Sequence, residues 1–69
     1  MLTPIKTFYV EGAPSYEEIV EARDTAQREY CVVELRWLPD IFAGWYHEYV
    51  FNDSDPQEIY DKLPRVYGI

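Results

Sequence analysis

The chain has 69 residues, 13 Asp and Glu against six Lys and Arg, and a formal net charge of −7. This length fits one small domain, and 48% hydrophobic residues with 17% aromatics are too apolar for a disordered acidic tail. A single Cys rules out an internal disulfide and a zinc site built from several thiolates.

No apolar run approaches the ~18–20 residues of a membrane span, and so acidic a surface repels phosphate, so neither nucleic acid nor membrane is expected as a direct partner. The start of the chain, Met1-Leu2-Thr3-Pro4-Ile5-Lys6, lacks the basic-then-apolar pattern of a secretory signal, and a cytoplasmic location is the expectation. A domain of this size buries only ~60% of its unfolded surface. Its twelve aromatics exceed what one small core can hide, so some should lie on the surface, where Tyr and Trp favour contacts.

Ile5 to Val10 is β-branched and aromatic and stops at Glu11-Gly12-Ala13-Pro14, which predicts a strand with Phe8 and Val10 on one face and Thr7 and Tyr9 on the other. Ser15 stands three residues before Glu18, the spacing of a capping box, and predicts a helix over about 15–29. Tyr16, Ile19, Val20, Ala26 and Tyr30 recur at helical spacing as its apolar stripe, interrupted by Arg23, with Glu17, Glu21, Asp24 and Arg28 outside.

From Cys31 to Leu38 the period changes to two. Cys31, Val33, Leu35 and Trp37 are expected inward, alternating with Val32, Glu34, Arg36 and Leu38. Pro39-Asp40 breaks this strand, and Ile41-Phe42-Ala43-Gly44 reads as an apolar connector to a strand over 45–51. Polarity decides poorly between the faces of that strand, and Trp45, Tyr49 and Phe51 are taken as inward. The two strands should form an antiparallel hairpin.

Asp55 as N-cap, Pro56 at the first helical position and Glu58 at the third predict a second helix, ended by Pro64 within about two turns. Residues 65–69 would be a short strand or a packed tail. The fold expected is a single compact α+β domain over 1–69, in the order β-α-β-β-α. It would have a three-stranded, mainly antiparallel sheet with a helix on one face.

Three arrangements invite a catalytic or metal reading. Cys31 and His47 would make a nucleophile and base if brought together, but Cys is commonly a buried hydrophobe and nothing predicts an oxyanion hole. Asp53-x-Asp55-x-x-Glu58 resembles part of a calcium loop, yet lacks its glycine and its acidic twelfth ligand, and contains Pro56. Glu34 and Glu48 on neighbouring strands form a conceivable carboxylate pair, with little room for a pocket around it. With no phosphate-cradling glycine loop either, no enzyme, cofactor or metal site is expected.

The acidic pattern carries more. Glu11, Glu17, Glu18, Glu21 and Asp24 fall within fourteen residues, and Asp53, Asp55, Glu58 and Asp61 form a second group. Glu17, Glu21 and Asp24 stand at i, i+4 and i+7, ~5–6 Å apart at Cβ, of the order of the phosphate spacing along a nucleic-acid strand. Such a surface suits a basic groove on another protein, whereas the plainer reading is a solvated helix face. Tyr9, Tyr46, Tyr60 and Tyr67 are the aromatics expected to be exposed or half-exposed, and Tyr beside carboxylates favours an Arg-rich partner.

In size, acidity and aromatic content the chain resembles the small inhibitors that phages and mobile elements encode against host nucleases and polymerases. That resemblance lies in gross properties and transfers no site residues. The function expected is a small acidic protein-interaction module, inhibiting or regulating a basic nucleic-acid-binding protein, through Glu17, Glu21, Asp24, Asp53, Asp55 and Tyr46. The alternative is an assembly protein that forms a homodimer through a sheet edge and exposed aromatics.

Overall fold

The computed structural model describes residues 3–38 and 44–67, with backbone alone for 64–67. Five elements follow in order: β1 (Ile5–Val10), α1 (Tyr16–Glu29), β2 (Val32–Trp37), β3 (Tyr46–Val50) and α2 (Pro56–Tyr67). This is the expected β-α-β-β-α order of an α+β domain.

The sheet is mixed, in the order β1-β2-β3. β2 and β3 pair antiparallel from Val33↔Val50 to Trp37↔Tyr46, as the hairpin reading required. β1 and β2 pair parallel, Ile5↔Val32 to Val10↔Trp37, so antiparallel pairing covers one of the two ladders. The reason is connectivity: α1 carries the chain back across the sheet, and strands joined by a crossover helix run parallel.

The α1 capping box is complete. Glu18 N donates to Ser15 Oγ at 3.1 Å and Ser15 N donates to Glu18 Oε1 at 2.8 Å. At the other end Tyr30 turns left-handed at φ 51°, its N–H and that of Cys31 both directed at Ala26 O. Tyr30 is therefore a cap at 81% exposure and not part of the apolar stripe. That stripe is Ile19, Ala22, Thr25 and Ala26, the residues α1 buries.

The core lies between the helices and one face of the sheet. Ile19, Ala22 and Ala26 of α1 and Ile59 and Leu63 of α2 meet Cys31, Val33, Leu35, Trp37 and Val50, with Phe8, Val10 and Tyr46 half-buried beside them. β1 and β2 bury the faces their sequences indicate. β3 is the reverse of the expected orientation: Val50 is fully buried and Tyr46 half-buried, while Trp45, Tyr49 and Phe51 are exposed. Glu48 shares the inward side, and Lys62 of α2 neutralises it at 3.0 Å, which lets a charged residue stand there.

Asp55 caps α2, its Oδ1 accepting from Gln57 N at 3.0 Å. The helix does not end at Pro64 but runs to Tyr67. An internal proline forfeits one backbone hydrogen bond and bends a helix without always stopping it. Residues 65–67 are therefore helical and form no strand. Pro39-Asp40, the connector residues Ile41 to Ala43, Gly68-Ile69 and the expected exposure of the Tyr67 ring lie outside what is described.

Candidate functional site

Two surfaces stand out, on opposite sides of the core. The first is the outer face of α1. Because Ile19, Ala22, Thr25 and Ala26 turn toward the sheet, Glu17, Glu21 and Asp24 are exposed together and line a shallow depression with Tyr16, Val20 and Arg28. Arg23 reaches Asp24 at 3.3 Å, and Arg28 turns to Thr25 Oγ1 at 3.3 Å and Glu29 at 3.9 Å. Glu17 and Glu21 make no ion pair among the described residues, so their charge faces solvent. Beside them Tyr16 and Tyr60 pack edge to face at 5.9 Å, each 41% exposed, and join the two helices.

The structure thus brings three of the expected site residues together. Asp53 is exposed in the turn after β3, which Gln27 ties to α1 by donating to Asn52 O at 2.9 Å. Asp55 is occupied in capping α2. Tyr46 belongs elsewhere: it lies half-buried against the core, edge to face with Trp37 at 6.1 Å.

The second surface is the sheet face that no described helix covers, and no local pattern in the chain marks it as a unit. Ile5, Thr7 and Tyr9 along β1 share it with Val32, Glu34, Arg36 and Leu38 along β2 and its end. Trp45, His47, Tyr49 and Phe51, along β3 and its two flanks, complete it by strand alternation and register. Six large apolar side chains there are exposed: Ile5, Tyr9, Leu38, Trp45, Tyr49 and Phe51. At its centre the Arg36 guanidinium stands 5.9 Å from the Tyr9 ring and 5.6 Å from the Trp45 ring, and those rings meet edge to face at 5.8 Å. The Arg36 Nε is buried without a hydrogen-bond partner.

Two residues back along β2, Glu34 accepts from Thr7 Oγ1 at 2.9 Å and lies 3.1 Å from His47 Nδ1, whose ring packs 5.2 Å from that of Tyr49. The hydrogen bond from His47, then that from Thr7 and the positive charge of Arg36, hold the Glu34 carboxyl below its ordinary range against an opposing burial effect. The face is therefore a layer of rings around a fixed carboxylate and an arginine packed against two touching aromatics.

The pairs weighed for catalysis are not assembled. Cys31 is buried just after the α1 cap, on the core side, whereas His47 lies on the open face with Glu34. Glu34 and Glu48 lie on opposite faces of the sheet. Among the described residues no group of three His, Cys, Asp or Glu side chains converges as a metal site, and no helix is long and apolar enough to cross a membrane.

Together these features define a small mixed-sheet α+β domain with an acidic helix layer and an aromatic sheet face. No family model, curated protein or solved structure matches the chain.

Proposed function

We propose that the chain is a small acidic protein-interaction module that binds a basic, nucleic-acid-binding protein through the outer face of α1 and so inhibits or regulates it. The observation that supports this reading is the joint exposure of Glu17, Glu21 and Asp24 on one helix face, the first two without cationic partners among the described residues. Carboxylates spaced like phosphates present a basic groove with charge of the right sign and pitch, and steer a basic protein toward it. Tyr16 and Tyr60 add ring area beside that charge. A cytoplasmic setting is part of the proposal, since a lone Cys stays reduced there.

The test is capture from a lysate by the immobilised protein, compared with a variant carrying Glu17→Lys, Glu21→Lys and Asp24→Lys. Capture of a nucleic-acid-binding protein should be released by duplex DNA and by about 0.5 M salt, where charges are screened beyond ~4 Å. The triple variant should keep its circular dichroism spectrum and lose the partner. A folded triple variant that still captures the same protein contradicts the reading.

A further inference from the structure

We propose that the open face of the sheet is the interface of a symmetric homodimer, in which two sheets pack face to face with Glu34 of each copy against Arg36 of the other. This surface lies across the core from the α1 carboxylates, so the proposal stands apart from the reading of the acidic helix.

At the ~150–250 Å² that a large side chain carries, the exposed fractions of Ile5, Tyr9, Leu38, Trp45, Tyr49 and Phe51 amount to about 600 Å². That is the upper end of what a monomer leaves uncovered. Adding the polar residues among them brings it near the ~800 Å² per partner of a stable interface.

Charge complementarity then selects the occupant. Glu34 and Arg36 sit two residues apart on the central strand, on the same face, on either side of Leu35. A two-fold axis lying between the sheets, perpendicular to β2 at Leu35, reverses the strand and places each Glu34 opposite Arg36 of the second copy. Each pair is made twice, as a closed dimer requires. The same operation sets His47 opposite Tyr49 and Trp45 opposite Phe51, because these lie at matching distances from the axis along β3.

Both charged groups are prepared for such a partner. The Arg36 guanidinium packs against two rings that touch each other and makes no hydrogen bond or ion pair among the described residues. The Glu34 carboxylate is fixed by Thr7 and His47 and keeps lone pairs to spare. Sheets stack about 10 Å apart, a gap that side chains from both faces fill. The arrangement also turns both α1 faces outward, so the carboxylates of the two copies are separated by both sheets and screened from each other. An edge-pairing dimer would use none of these features.

The decisive experiment is sedimentation equilibrium on the full chain and on two charge variants, Glu34→Arg and Arg36→Glu, with folding checked by circular dichroism. The wild-type protein should reach twice its monomer mass of 8.2 kDa as concentration rises. Each variant alone faces like charge across the axis and should dimerise about a hundredfold more weakly. An equimolar mixture should recover association as a one-to-one heterodimer, because a face carrying two arginines then meets a face carrying two glutamates. Should either charge variant fail to fold, the pair Trp45→Ser with Phe51→Ser leaves the charges in place and should still be monomeric. A wild-type protein that stays monomeric up to sub-millimolar concentration overturns the proposal and leaves the face to a different protein. So do folded charge variants that dimerise like wild type, or that fail to pair when mixed.

Discussion

On the covered face of the sheet Trp37 lies edge-on to Tyr46 at 6.1 Å and is 1% exposed; on the open face Trp45 lies edge-on to Tyr9 at 5.8 Å and is 53% exposed. The local geometry is nearly the same, and only what lies above the rings differs. Trp37 belongs to the buried cluster to which the two helices contribute Ile19, Ala22, Ile59 and Leu63. Around Trp45 the neighbours are Tyr9 and Arg36, a ring from β1 and a cation from β2. A ring buried by its own chain stabilises the monomer, and a ring left in water contributes little to that stability.

The widest gap between the two faces should appear on truncation. Trp37→Ala empties a fully buried site and should cost about 3–5 kcal/mol, enough to unfold much of a domain this small. Trp45→Ala should cost the monomer about 1 kcal/mol or less in urea titrations of dilute protein. Its cost should grow as the protein is concentrated, since loss of an interface residue acts through association. Equal losses for the two variants at every concentration would erase the distinction.

Smaller effects belong to the helix that covers one face. Ser15→Ala removes the acceptor for Glu18 N–H and should lower stability by about 1 kcal/mol. Tyr30→Gly should raise it by about 0.5–1 kcal/mol, because Tyr30 holds φ 51° and packs little of its ring. Both are read from the midpoint of thermal or urea unfolding.

The finest comparison is one of pH. Glu34 on the open face and Glu29, held by Lys6 on the side of α1, are both lowered from their ordinary value of 4.5. A carboxyl whose folded pKa is depressed contributes stability above its unfolded pKa and loses it as pH falls through the folded one. Stability should therefore decline below about pH 4.5, and Glu34→Gln should flatten part of that decline. A pH profile unchanged by Glu34→Gln would remove the Thr7–Glu34–His47 group from the energetics of the open face.

How much of this could be read in the sequence depended on what each residue faces. In β2, Glu34 and Arg36 mark the outer side against Val33, Leu35 and Trp37, and alternation alone identified the buried face. β3 offers no such contrast. Its outer side carries Trp45, Tyr49 and Phe51, and its inner side includes Glu48, which is acceptable only because Lys62 arrives from a distant helix at 3.0 Å. Polarity distinguishes inside from outside where the outside is water, and it misled where the outer face is aromatic. The start of α1 was legible because a capping box is local; the end of α2 was not, since Pro64 bends the rule it usually enforces. The α1 carboxylates followed from helical spacing. The contact of Arg36 with two rings did not, because Tyr9 and Arg36 meet through the parallel register of β1 and β2 while Trp45 arrives from the flank of β3.

The most direct measurement is acrylamide quenching of tryptophan fluorescence as a function of protein concentration. Trp37 should resist the quencher throughout. Trp45 should be quenched in dilute solution and protected once two open faces close on each other, so the accessible fraction should fall along the same curve as the rise in sedimenting mass. A Trp45 that stays equally accessible from low-micromolar to sub-millimolar protein would contradict the claim that this face is an interface between copies of the chain.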